Sequence, residues 1–292
     1  MSRMPPILPM LPKTPLPQTS GIDWLRHGET RGGSRFRGRT DDPLTPEGWR
    51  QMWTTVAHYH AGARLAPDDE SPLHELRPNL HQGFATSRLT NEVAGDFCAD
   101  SREGPRQVPE SEDLRRDWHT DLPLAPGPGD AGLRPWDRII ASPLIRCADF
   151  GRALSQRLDL PLSLDPRLVE LDFGAWEGRS AADLMASDAE ALGRFWADPV
   201  THAPPGGESL PAFQARVLAA WRDLTAQALT NGERLLVISH GGVIRVILCT
   251  LLDHPLGRLL ELEVGHASLT RVGLDRTPMG IRAQRLDPDS LA

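Results

Sequence analysis

The stretch Arg234-Leu235-Leu236-Val237-Ile238-Ser239-His240-Gly241-Gly242-Val243-Ile244-Arg245 decides the fold. Within residues 234–239 the interior Leu235-Leu236-Val237-Ile238 is apolar without alternation, the pattern of a strand covered on both faces, as in a parallel sheet. The run stops at His240-Gly241-Gly242 and passes directly into Val243 to Leu252, which reads as an apolar helix. A buried strand feeding a helix through a polar junction is half of a parallel βαβ unit. In an open α/β sheet such junctions collect ligands, because binding sites form just beyond the carboxyl ends of the strands.

Two further stretches repeat the pattern. Gly21 to Leu25 reads as a short strand that ends in Arg26-His27-Gly28-Glu29-Thr30. Thr45-Pro46 then looks like a cap followed by proline in the first helical position. Trp49, Met52, Trp53, Val56 and His60 follow at helical spacing. Asp137 to Ala141 is the second strand. Ser142-Pro143 again reads as cap and first position, and Leu144, Cys147, Ala148, Gly151, Leu154 and Leu158 mark the inward face of the helix after it. On that wheel Arg146 points away from the apolar side. A long helix is expected over Ser209 to Leu229, with Leu210, Phe213, Val217, Trp221, Leu224 and Ala228 inward. Short strands near Glu261 to Val264, Ser268 to Leu274 and Ile281 to Leu286 would complete the sheet. Strands alternating with helices predict a three-layer α/β/α sandwich around a mostly parallel sheet.

The 292 residues do not all fit that domain. Residues 1–20 carry six prolines and no acid, so they read as a disordered arm; the prolines also break any signal-peptide core. Residues 62–135 hold nine prolines, 14 acidic residues and 8 Arg. They read as an insertion into a domain spanning 21–292, because an irregular loop of that length is improbable inside a compact fold. That insertion supplies −6 of the net charge of −7, and the rest of the chain is close to neutral. The acidic balance excludes nucleic-acid binding by bulk charge, though not a local cationic pocket. No apolar run is long enough to cross a bilayer. Cys98, Cys147 and Cys249 are odd in number and far apart, which indicates neither a disulfide framework nor a zinc site; the cytoplasm is the expected compartment. His202, His254 and His266 have no partners at ligand spacing, so no metal is expected, and His266 precedes a strand where it could reach a site rim.

The polar groups at the strand ends are two histidines (His27, His240) and two arginines (Arg26, Arg146), with Glu170 following the Leu162–Leu164 segment. Any one of them has an ordinary explanation as a hydrogen-bonding or solvated residue. Together they make a cationic cup for a tetrahedral phosphoryl group, since a guanidinium fork matches phosphate oxygens. A histidine in the cup could accept that group, and a carboxylic acid could serve the leaving oxygen and then water.

Leu25-Arg26-His27-Gly28-Glu29-Thr30 resembles the signature of the histidine phosphatase superfamily, in its phosphoglycerate mutase-like branch. Ser142-Pro143-Leu144-Ile145-Arg146, Leu168 to Gly178 and Ser239 to Arg245 resemble its second, third and fourth elements, in the family order. The resemblance implies that His27 is the phosphorylated nucleophile, that Arg26, Arg146 and His240 hold the phosphate, and that Glu170 donates and accepts the proton. It implies a bell-shaped pH profile, with neither metal nor cofactor. Thr30, Arg37, Arg35 and Gly241 are expected at the substrate. Many members carry Asn six residues after the nucleophile, where this chain has Gly33; Arg35, Arg37 or a backbone amide would take its place. Within the branch, Arg37 to Thr45, Phe173 to Arg179 and Phe195 to Ser209 resemble α-ribazole phosphatases of cobalamin biosynthesis. The expected partner is thus a small phosphomonoester such as α-ribazole 5′-phosphate or adenosylcobalamin 5′-phosphate, with room for a homodimer. A phosphoglycerate mutase, a broad-specificity phosphatase and a non-catalytic phospholigand scaffold are the alternatives. Trp176 is expected to pack, Gly206-Gly207 to turn the chain, Glu208 to sit at a helix start and Cys147 to lie in the core.

Overall fold

The computed structural model describes residues 20–62, 135–278 and 280–286. Residues 1–19 and 63–134, which hold nearly all of the expected arm and insertion, lie outside the described residues.

Six strands form one sheet: β1 (Gly21–Arg26), β2 (Arg138–Ala141), β3 (Leu162–Leu164), β4 (Arg234–Ser239), β5 (Leu269–Thr277) and β6 (Gly280–Leu286). Their order is β3-β2-β4-β1-β5-β6. The first four run parallel, and β5 and β6 are antiparallel. The apolar run of β4 thus lies between two strands, with Arg26 level with Ser239 and Ala141 level with Ile238. The described helices are α1 (Pro46–Gly62), α2 (Ile145–Leu158), α3 (Ala181–Ser187), α4 (Ala189–Ala197), α5 (Leu210–Asn231) and α6 (Gly241–Leu251).

Alternating side chains of the central strands feed two cores. Ile22, Trp24, Leu235 and Val237 pack on one face with Phe213, Val217 and Trp221 of α5 and Val243 and Ile247 of α6. Leu25, Ile139, Leu236 and Ile238 pack on the other face with Met52, Trp53 and Val56 of α1 and Cys147, Phe150 and Leu154 of α2. The fold is therefore a three-layer α/β/α sandwich. Complete burial of one such side chain contributes about 1.5–3 kcal/mol, so both faces of β1 and β4 resist polar substitution.

Two expected caps behave differently. Thr45 Oγ1 accepts from the Gly48 amide at 2.9 Å, as its position predicts. Ser142-Pro143 does not start a helix. α2 begins at Ile145, with Leu144 at its cap and no side chain from that segment closing it. The Ser142 hydroxyl faces His240 instead, and Asp41 Oδ1 accepts the Ile145 amide at 2.6 Å. The expected strand at Glu261 to Val264 is also absent. Leu256–Glu261 forms short 3₁₀ turns, and the carbonyls of Leu262 and Val264 accept from arginines rather than joining a ladder. α6 starts two residues earlier than its apolar run, with His240 at its cap.

Candidate active site

β1, β2 and β4 end side by side, which brings together residues more than two hundred positions apart. His27 follows β1 and its amide donates to the Ser239 carbonyl at 3.0 Å. His240 follows β4, and the two imidazoles meet edge-on with ring centres 5.2 Å apart. His27 borders a cavity of about 520 Å³ at the carboxyl edge of the sheet, and His240 lies behind it. Arg26, His27, Thr30, Gly33, Arg35, Arg37, Arg146, Glu170, Gly241, Arg245 and His266 all line it.

The His27 Nδ1 lies 2.8 Å from the Gly28 carbonyl, which can only accept. Nδ1 therefore carries the ring proton and Nε2 keeps its lone pair. Burial, reinforced by Arg146 and Arg26, holds the ring well below the usual histidine range. The imidazole is neutral and nucleophilic at Nε2.

Arg146 is buried at the cavity, although its wheel position lies off the apolar side of α2. The apolar side of α2 leaves room for it because its guanidinium finds acceptors. Nη1 donates to the Thr40 carbonyl at 2.8 Å, Nη2 to Gly38 at 3.0 Å and Nε to His240 Nδ1 at 3.3 Å. His240 must then carry its proton on Nε2, which lies 2.8 Å from the Ser142 hydroxyl. Burial, followed by Arg146, depresses its pKa too, so His240 is neutral. It is fully buried and does not line the cavity; both ring nitrogens are engaged by protein atoms.

Arg26 donates to the Val264 carbonyl and approaches His266 Nε2 at 3.2 Å. His266 thus stands in the cavity, 5.8 Å from the His27 ring centre to centre, and burial with Arg26 brings its pKa down to about 4. Sequence placed it before a strand, within reach of a site rim; the Gly265-to-Ser268 turn, with Ala267 at φ 53°, swings it inward. Arg245, buried and donating to the Leu262 carbonyl at 2.8 Å, was not singled out from sequence. Its place as the single charge inside the apolar run Val243 to Leu252 was the signal that could have found it.

Glu170 follows β3 by six residues and reaches the start of α6. Its Oε1 accepts the Leu171 amide and its Oε2 the Gly242 amide, each at 2.9 Å. Each oxygen keeps a lone pair for a proton on the cavity side. Arg216 of α5 fixes this segment by donating to the carbonyls of Arg167, Val169 and Glu170 at 2.7–2.9 Å. Glu208 holds Arg216 at 2.8 Å, so its contact is structural rather than at the substrate. The α6 amides add partial positive charge at the cavity edge.

Of the remaining expected residues, Thr30 is buried with its hydroxyl accepting from Arg37 at 2.6 Å. Arg37 also donates to the Gly33 carbonyl and pairs with Asp42 at 2.6 Å. Arg35 is exposed and donates to the Gly178 carbonyl. Gly33 has φ +65° and open space where a Cβ would stand. Trp176 packs against Phe36 and Phe195, and Gly206 turns the chain at φ +69°. Cys147 is core: fully buried, with burial pushing its thiol up to about 12.

The model of the histidine phosphatase superfamily (branch 1) matches residues 131–285. The chain belongs to that superfamily. The adenosylcobalamin/alpha-ribazole phosphatase of Salmonella typhimurium is 33% identical over 130 residues, 44% of this chain and 63% of that protein. The bifunctional protein Rv2228c of Mycobacterium tuberculosis is 37% identical over 132 residues, 45% of this chain and 35% of that protein. The matches thus span only part of these relatives. A solved mycobacterial glucosyl-3-phosphoglycerate phosphatase superposes with a TM-score of 0.58 at 22% identity, covering 91% of this chain and 97% of that one. That likeness shows the shared fold. No described helix of this histidine phosphatase superfamily member is long and apolar enough to cross a membrane.

Proposed function

We propose that this protein hydrolyses phosphomonoesters through a phosphohistidine at His27, without a metal. One observation carries the reading: a neutral imidazole, locked by Gly28 so that Nε2 is unprotonated, borders the cavity beside the guanidinium groups of Arg26 and Arg146. In the first step Nε2 attacks phosphorus, a P–N bond forms and the ester P–O bond breaks. Glu170 gives its proton to the departing alkoxide. In the second step Glu170 takes a proton from water, the water oxygen attacks phosphorus and the P–N bond breaks. The arginines and the α6 amides stabilise the negative charge on the equatorial oxygens throughout. His240, held between Ser142 and Arg146, fixes the Arg146 fork from behind the cavity.

The substrate is α-ribazole 5′-phosphate or the phosphorylated cobalamin that carries it. The Salmonella relative supports this choice, as does the Phe173-to-Arg179 run. The test is phosphate release in EDTA from a panel of phosphomonoesters that includes α-ribazole 5′-phosphate and 3-phosphoglycerate. Preferred turnover of the ribazole ester, abolished in His27→Ala, is the expected result. Turnover that prefers another ester corrects the substrate alone, and isomerised phosphoglycerate without free phosphate indicates a mutase. Unchanged turnover in His27→Ala rejects the nucleophile.

A further inference from the structure

Trp176-Glu177-Gly178 stands out in the sequence, yet the proposed chemistry leaves Glu177 without a task. Its carboxylate lies behind the cavity wall. Oε1 accepts from the amides of Gly38, Arg39 and Phe173 at 2.9, 2.9 and 3.1 Å. Oε2 accepts from the Thr40 amide at 3.0 Å and the Thr40 hydroxyl at 2.5 Å. Among the described residues no cation pairs with it. Five donors on one half-buried carboxylate is far more than helix or turn formation requires. Burial alone would raise its pKa, but the bonds from Thr40 and from the Arg39, Thr40 and Phe173 amides outweigh that and keep it below the usual range.

What these bonds immobilise is specific. The carbonyls of Gly38 and Thr40, on the same three residues, are the acceptors of the Arg146 fork. Their N–H groups are gripped by Glu177 on one side, and their C=O groups orient the guanidinium on the other. Asp41, next in line, closes the first turn of the helix that bears Arg146. Gly38 has no space for a Cβ, which would lie 1.8 Å from the Leu171 carbonyl oxygen and 2.6 Å from Glu177 Oε1. The loop is therefore seated against the carboxylate in one position.

We infer that Glu177 is the positioning residue for Arg146, acting through the peptide groups of residues 38–40 to aim the guanidinium into the phosphate cup. A charged anchor is required because only a carboxylate offers acceptors alone: its two oxygens carry about four lone-pair sites, which the five donors saturate, three of them sharing Oε1. A Gln in its place turns an N–H₂ group toward one of the amides. The inference rests on the reading that the cavity binds a phosphoryl group, but not on turnover.

The experiment measures the affinity of the full chain for inorganic phosphate by calorimetry in four proteins: wild type, Glu177→Gln, Arg146→Lys and the double variant, with thermal melting alongside. Glu177→Gln should weaken phosphate binding about tenfold, the scale on which loss of an outer supporting group is felt at a charged site. In the Arg146→Lys background, where no fork remains to be aimed, the same substitution should change affinity by less than about twofold, the non-additivity expected of coupled residues. Equal affinity of Glu177→Gln and wild type overturns the inference, as does the same loss in both backgrounds. Should Glu177→Gln fail to fold, Thr40→Val removes one of the five bonds and should weaken phosphate binding in the same direction, with Thr40→Ser restoring it. No response to Thr40→Val then rejects the relay. A wild-type chain that binds phosphate in a Glu177-dependent way but releases none from any ester would sink the proposed hydrolase and leave this inference standing.

Discussion

At the scale of single residues, the decisive property of the site is that its imidazoles are uncharged. His27 and His240 have pKa values depressed by burial first and by the surrounding arginines second. A histidine that is neutral when folded and near 6.5 when unfolded binds more protons in the unfolded state below that value. Its contribution to stability is therefore intact above pH 6.5 and lost as pH falls, by up to about 1.4 kcal/mol per pH unit for each such histidine. Two measurements follow. Ring NMR signals, assigned by their absence in His27→Gln, should show His27 still neutral at pH 6, whereas a half-charged ring at its ordinary value would remove the basis for Nε2 attack. Urea titrations between pH 7 and pH 5 should show falling stability in the wild type and a shallower fall in His27→Gln. The same depression keeps the nucleophile competent through mild acid, so the acid limb of kcat/KM belongs below 6.5.

At the scale of elements, the sequence was most legible where side-chain type broke an apolar pattern. Arg26-His27 and His240 end runs whose apolar members are all buried, and β1 and β4 lie where those runs predict. α5 follows its wheel from Ser209 onward, because its cap and core contacts are local. What was not legible depends on partners far away in the chain. Arg146 is expected in the cup, but its place on the helix says nothing of the acceptors at Gly38 and Thr40 that bury it, and nothing local to Glu177 marks the loop it holds. The start of α2 is the sharpest case. Ser142-Pro143 carries the local signature of a cap, but the strand end needs the serine hydroxyl for His240, and Asp41 serves the helix across 104 positions. The two alanine variants should thus differ. Asp41→Ala should lower stability by about 1 kcal/mol, the usual cost of a lost cap. Ser142→Ala should leave α2 intact and instead deprive the His240 Nε2–H of its partner. Thermal melting and phosphate affinity of both variants test the assignment, and a helix destabilised by Ser142→Ala but indifferent to Asp41→Ala would reverse it.

At the scale of the whole molecule, the chain carries a net charge of −7 and yet presents a cavity lined by five arginines against three glutamates. Which field an incoming dianion feels depends on distance. Surface charges act through salt water only over the Debye length, about 20 Å at 0.02 M and about 7 Å at 0.2 M. At low salt an approaching phosphomonoester senses both the negative bulk of the protein and the arginines. The arginines converge on one concave mouth with low-dielectric walls, which concentrates their field where the substrate enters. The acidic residues of 62–135 supply most of the opposing charge, but they are spread over more than seventy positions of sequence. The local term should therefore dominate, and kcat/KM for a small phosphomonoester should fall as sodium chloride is raised across this range while circular dichroism stays constant. In the Arg37→Gln variant, which removes one guanidinium from the mouth, the slope should flatten. A rate that climbs with salt would show that the bulk negative charge governs approach and that the cup acts only after contact.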